Sequence, residues 1–316
     1  MSSVEDGIEL YKKVKLRYLE GNFRVRKWRT NNKELQKFIN IQEKGGEIAD
    51  VGMNQNIGDK VLGIMWKKDI DGLVIDVKAY ISNVSNLQPT KRNVLKVTAS
   101  IYDPIGFSQP FIVKLKILFQ VICASKVGWD DDPSENVKQD WFKIIGEFRK
   151  AEEVIIPRCY CITDVNDPII STELHGFSDA SESAFGACIY LKFVKESGNV
   201  TVSFVTSKSR IAPIKAKHTI PRLELLGNFI LSKLVVSVSK ALEEEMIIDK
   251  IYCWSDSKVS LAWINARNKE FKTFVQNRVL EIRKMLILKI GFIVDPRKIL
   301  LILLLEAIMI HILVYG

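Results

Sequence analysis

No Cys-x-x-Cys pair occurs among the five cysteines of this chain (Cys123, Cys159, Cys161, Cys188 and Cys253), and no secretory leader opens it. That argues against a disulfide framework and predicts reduced, mostly buried thiols in an intracellular protein, cytoplasmic or nuclear. Acidic residues are in deficit, 37 against 46 Lys and Arg, giving a net charge of +9 and a pI near 9.1. The excess favours a polyanionic partner. With 47% apolar residues over 316 positions, there is material for two domains or for one domain with extra modules.

The most informative stretch is HGFSDASESAFGACIYL, His175–Leu191. It reads as an apolar strand that delivers Asp179, turns, and returns as the buried strand Ala184–Leu191. An aspartate at the end of a buried strand lies where ligands bind in α/β sheets, although a solvated turn aspartate beside serine would look the same in isolation. Val200–Thr206 alternates as a third strand, and a basic loop from Lys208 to Lys217 follows, carrying Arg210 and Lys215. Thr219 and Pro221 open a long helix whose apolar positions Leu223, Leu226, Ile230, Leu234 and Val238 keep helical spacing. Glu224 sits on the flank of that stripe, where a helix laid on a sheet aims it at the strand ends. A first-turn glutamate also complements the helix dipole. Lys250–Trp254 is a further strand, ending in Ser255-Asp256-Ser257 before a helix over Lys258–Asn265. The strand-Ser-Asp arrangement at Asp179 thus recurs at Asp256.

Upstream, Ile8–Leu19 suits a helix with Leu10, Val14 and Tyr18 on one stripe. The run Arg24-Val25-Arg26-Lys27-Trp28-Arg29 places basic residues beside Phe23 and Trp28, a pattern for a nucleic-acid backbone with a stacking platform, or equally for an exposed edge strand. Residues 43–59 read as a loop, and Lys60–Trp66 as a strand paired with Leu73–Val77. Helices are expected from Pro89 to about Tyr102, from Phe111 to about Ser125 and over Trp141–Ala151, with an acidic turn at Asp130–Asp132. This divides the chain at 1–88, a helical unit at 89–165, the carboxylate-bearing domain at 166–298 and an apolar tail at 299–316.

Carboxylates gathered within a few ångströms repel unless a cation neutralises them or one is protonated. Hard oxygen donors select Mg²⁺ or Mn²⁺, and two such ions about 3.5–4 Å apart can drive in-line phosphoryl displacement. An aspartic peptidase would share one proton between two aspartates, but neither SDAS nor SDSK has the glycine of Asp-Thr/Ser-Gly.

HGFSDASESAFGACIYL, TIPRLELLGNFILSKLV and YCWSDSKVSLAWI, followed by TFVQNRVLEI, strongly resemble the ribonuclease H region of Bel/Pao-type retrotransposon Pol polyproteins. FRVRKW, KVLGIMW, PTKRNVLKVTASIYDPIGF and GWDDDP resemble the end of the reverse-transcriptase palm and the connecting segment of the same polyproteins. The resemblance implies an α/β ribonuclease H-like mixed sheet with flanking helices, preceded by a palm remnant and a small helical connection. It implies that Asp179, Glu224 and Asp256 are three of four metal-binding carboxylates, with Mg²⁺ or Mn²⁺ as cofactor and an RNA–DNA hybrid as substrate. The rest of a Pol polyprotein is an implied partner. Arg24, Arg26, Lys27, Trp28, Lys208, Arg210, Lys215, Lys217 and Arg222 are the expected nucleic-acid contacts. The Tyr-x-Asp-Asp hairpin of such polymerases is absent, so polymerase activity is not expected. The alternatives are a catalytically silent nucleic-acid-binding remnant and, behind it, an aspartic peptidase or a membrane-anchored protein.

The family's fourth carboxylate belongs to an Asn-Pro-Ala-Asp motif after the last strand, where this chain has ILLILLLEA, Ile299–Ala307. One set of codons for that segment, read one base earlier, encodes Asn-Pro-Ala-Asp-Ile-Ala-Ser-Arg-Gly. A frameshift just before Ile299 would therefore account for the tail and for an impaired copy. The competing reading of Ile299–Gly316 is a membrane anchor, with twelve Ile, Leu or Val residues opposed by Glu306 and His311.

Overall fold

The computed structural model describes residues 3–26, 28–44, 59–61, 64–75, 84, 87–150, 154–162, 164–215, 218–266, 268–286 and 291–293. They divide into two compact units, residues 1–75 with 155–158, and residues 76–154 with 159–316. The expected loop at 43–59 and the tail at 299–316 lie almost entirely outside the described residues, as do Lys27 and Lys217.

In the first unit, the Ser3 hydroxyl accepts a hydrogen bond from the Asp6 amide (3.1 Å) and starts helix α1, Val4–Glu20, a turn earlier than apolar spacing alone indicates. Asn32 accepts from the amides of Glu34 and Leu35, each at 3.0 Å, at the head of α2, Lys33–Lys44. Tyr11, Leu35 and Ile39 are buried where these helices meet. Strands β1 (Asp59–Val61), β2 (Ile64–Lys67), β3 (Gly72–Ile75) and β4 (Val154–Pro157) form a four-stranded sheet in that order. The single strand expected over Lys60–Trp66 is thus two antiparallel strands, with Val61 opposite Ile64. β2 pairs with β3 as expected. Arg158, just beyond β4, donates to both Asp71 carboxylate oxygens (2.7 and 2.9 Å) and stacks its guanidinium over Trp66. This pairing, first among several causes, holds the Asp71 carboxyl below the ordinary aspartate range.

In the second unit, helices α3 (Lys91–Ser100), α4 (Gln109–Ala124) and α5 (Glu135–Lys150) precede a five-stranded mixed sheet. Its strands are β5 (Ile169–Ala180), β6 (Ala184–Lys195), β7 (Val200–Ile211), β8 (Lys250–Ser255) and β9 (Gly291–Ile293), in the order β7-β6-β5-β8-β9. β5, β6 and β7 are an antiparallel meander, and β8 and β9 continue parallel to β5. Lys208 and Arg210, expected in a loop, lie within β7. Their backbone pairs with Ala187 and Phe185 of β6, and ladder bonding outweighs the polar composition there.

Helix α6 (Ile220–Leu242) lies on one face of the sheet, burying Leu223, Leu231 and Val235 against Leu174, Ile189 and Leu191. By length and composition α6 could cross a membrane, but its apolar stripe is part of this core. Helices α7 (Lys258–Asn265) and α8 (Thr273–Leu286) pack beside α6 around Leu225, Ile264 and Val279. On the opposite face, Phe177, Tyr190 and Trp254 form a second buried cluster.

The segment between α3 and α4 docks on β7. The Ser207 amide donates to the Ile105 carbonyl (3.0 Å), its hydroxyl donates to Gly106 (2.5 Å), and Phe107 meets Phe204 edge-on. Gly106 has φ +82°, and a β-carbon added there would lie 2.0 Å from the Ser207 oxygen. Gly106→Ala should therefore cost about 1–3 kcal/mol, read as a lower urea midpoint.

Candidate active site

The register between parallel strands β5 and β8 sets the site. Ser178 pairs with Ser255, so Asp179 and Asp256 follow side by side at the same rim of the sheet. Both are exposed. Strand alternation places Ser178 on the α6 side and Asp179 on the other, with Phe177. Glu224 comes from the first turns of α6, where Thr219 occupies the N-cap position without a side-chain bond to the helix. Three residues on, Gly227 lets α6 approach the strand ends, since a β-carbon there would lie 3.2 Å from the Asp179 carbonyl oxygen.

A chain of buried polar groups joins these elements. The Ser178 hydroxyl donates to Asn228 Oδ1 (2.7 Å), and Asn228 Nδ2 donates to Ser260 Oγ (2.8 Å). The Ser260 amide in turn donates to Ser257 Oγ (3.1 Å), capping α7, while the Ser257 hydroxyl donates to the Glu224 carboxylate. Asn228 and Ser260 are wholly buried. Each acidic residue therefore adjoins a member of the chain in sequence or by direct bond. Asn228 and the serines were not singled out from the sequence. The available signal was a polar residue one helical turn after Glu224, followed after another turn by Ser232.

Desolvation at the rim raises the Asp179 carboxyl above the ordinary aspartate range. A hydrogen bond from the Ala180 amide (2.6 Å) opposes this, and the charge of Asp256 adds to it. Asp179 and Asp256 are thus brought into electrostatic contact, whereas Glu224 is turned toward Ser257. Among the described residues, no group of three or more His, Cys, Asp or Glu side chains is gathered closely enough to hold a metal ion. The expected three-carboxylate pocket is therefore a neighbouring pair of aspartates with a tethered glutamate at the same rim. The donors remain of the kind a hard divalent cation takes, and the like-charge pair is what such a cation would neutralise.

The expected nucleic-acid contacts are dispersed. Arg24 and Arg26 are exposed in irregular backbone. Trp28 packs edge-on against Tyr11, with ring centroids 4.9 Å apart and its indole N–H buried, so it belongs to the α1–α2 core rather than to a stacking platform. Lys208, Arg210 and Lys215 are exposed along and beyond β7, and Arg222 lies over Phe274 at 5.3 Å. The acidic turn has its own partners: Asp130 with Arg92, Asp131 with the Gly128 amide, and Asp132 with Lys138.

The family model for the Pao retrotransposon-like RNaseH-like domain matches residues 90–257, just over half of the chain. The chain belongs to this family. The matched span of the Pao RNaseH-like domain contains Asp179, Glu224 and Asp256. No curated protein sequence matches. Among solved structures, the domain is similar to the foamy viral protease-reverse transcriptase in complex with double-stranded DNA, at 13% identity and TM-score 0.41. That likeness covers 75% of this chain and only 38% of the viral one. It is also similar to RNase H1 of the halophilic archaeon Halobacterium salinarum, at 13% identity and TM-score 0.25, over 40% of this chain and 88% of that one. LC11-RNase H1 in complex with an RNA/DNA hybrid matches at 10% identity and TM-score 0.28, over 40% and 87%.

Two outcomes test the site. Asn228→Ala strands the buried Ser178 and Ser260 hydroxyls and should cost roughly 2–4 kcal/mol in urea denaturation. Because the folded state disfavours ionised Asp179, its destabilising contribution is absent below the ordinary aspartate pKa of about 3.9 and grows as pH rises through the raised folded value. Asp179→Asn should accordingly raise the thermal midpoint at pH 7, by less than about 4 °C because the carboxyl is open to water, and should give no gain near pH 3.5.

Proposed function

We propose that this Pao RNaseH-like domain hydrolyses the RNA strand of RNA–DNA hybrids, with Asp179, Glu224 and Asp256 holding a divalent cation at the rim of the five-stranded sheet. The observation that carries the reading is the register that sets Asp179 and Asp256 side by side at paired strand ends, with Glu224 bonded to the adjoining Ser257, in a chain of this family. In this reading Asp179 and Asp256 supply the fixed negative charge that recruits the cation. The Ser257 hydroxyl holds Glu224 near the pair until its carboxylate turns to join them. Asn228 keeps the three elements in register, so the carboxylates need little reorganisation. Bound there, Mg²⁺ or Mn²⁺ supplies the charge that stabilises the attacking and leaving oxygens of an in-line displacement at phosphorus. The net charge of +9 favours association with the polyanion, and Arg24, Arg26, Lys208, Arg210, Lys215 and Arg222 are assigned to its phosphates.

The second reading is a silent nucleic-acid-binding remnant, favoured by Ile299–Ala307 standing where the family motif would supply a fourth carboxylate. A labelled RNA–DNA hybrid incubated with and without Mg²⁺ separates the two. Metal-dependent cleavage that Asp179→Asn lowers by roughly a hundredfold or more supports the nuclease. Binding without cleavage supports the remnant. Restoring the motif by Ile299→Asn, Leu300→Pro, Leu301→Ala and Ile302→Asp should raise the cleavage rate roughly tenfold to a thousandfold.

A further inference from the structure

We infer that the seam between α6 and α8 is a docking track for the sugar-phosphate backbone of a nucleic acid, leading away from the carboxylate rim; this rests on the proposed nucleic-acid reading. The track begins two residues from Glu224. The Arg222 guanidinium lies 5.3 Å and the Arg278 guanidinium 4.7 Å from the centre of the same Phe274 ring, and the His218 ring lies against it, tilted by 32°, at 4.8 Å. Arg278 continues into an open groove of about 390 Å³, whose walls include Phe229 and Lys233 of α6 and Lys284 of α8. The Lys233 ammonium sits 4.1 Å over the Phe229 ring.

Arg222, Phe229 and Lys233 share one stripe of α6, being seven and eleven residues apart, close to two and three helical turns. From Arg222 to Lys233 the helix rises roughly 16 Å, about five steps of a duplex at an axial rise of 3.4 Å each. Four cations thus line the seam, with Arg222 and Arg278 together at its head and Lys233 and Lys284 along the groove beyond. Glu281 is the one acidic residue lining the groove, and among the described residues none of the four cations forms an ion pair. Aromatic faces fix Arg222, Arg278 and Lys233 without neutralising them, which leaves their charge for an anion. A sugar-phosphate backbone matches the charge and the length of this seam.

The test uses the full chain and a fluorescein-labelled RNA–DNA hybrid of 24 base pairs, with Ca²⁺ in place of Mg²⁺ to suppress cleavage, and reads anisotropy across a salt series. Lys233→Glu/Arg278→Glu/Lys284→Glu should weaken binding at least about tenfold at 0.1 M salt and flatten the slope of log K against log salt by roughly 2–3. The charge-matched control Lys37→Glu/Lys240→Glu/Lys250→Glu should change neither, with circular dichroism confirming the fold of both. Arg278→Ala alone should flatten the slope by about 1. If the seam variant binds as the unaltered chain does, or the control loses as much, the seam is overturned while the nucleic-acid reading stands. If the unaltered chain fails to bind the hybrid, both fall.

Discussion

The buried chain of hydroxyl and amide groups from Ser178 through Asn228, Ser260 and Ser257 to Glu224 is the constraint on which the rim depends. Each group enters a space that excludes water, and each has a partner drawn from a different element. A shift of α6 along the sheet by a fraction of a helical turn would break several bonds at once and leave the freed groups without solvent. The apolar core beneath tolerates such slippage better, because contacts among leucines and valines are less directional. Polar geometry therefore fixes where the acidic side chains stand, while hydrophobic burial fixes that the layers stay together.

The rim also shows how one fold can concentrate charge of both signs. The aspartates leave the strand ends on the face away from α6, and Arg222 leaves α6 two residues before Glu224. Opposite charges then lie close along the chain without cancelling, because Arg222 is held over Phe274. Acidic and basic side chains thus stand on neighbouring elements at this end of the sheet.

Much of this was legible from residues alone. The recurring strand-Ser-Asp pattern marked Asp179 and Asp256 as strand-end residues, and the parallel register of β5 and β8 sets them next to each other. The long helix with Glu224 in its first turns is likewise present. What local sequence did not show were consequences of distant partners. Lys208 and Arg210 look like loop residues until β6 supplies a ladder for them. Trp28 looks like an exposed platform until α2, a helix not foreseen, closes over Tyr11. Asn228 is one of several polar letters in this helix until Ser178 and Ser260, far away in the chain, become its partners. The bond from the Ser257 hydroxyl to Glu224 could not be read from spacing.

The four-stranded sheet of the first unit has a temporal consequence. Its β3 edge is covered by β4, a strand that emerges from the ribosome only after α3, α4 and α5 have been made. At roughly 5–20 residues per second, that edge waits several seconds during synthesis with its backbone groups unpaired. Arg158 closes the interval by gripping Asp71 as β4 arrives. The first unit therefore cannot mature ahead of the helical segment, and the order of translation interleaves the two units although each has its own core.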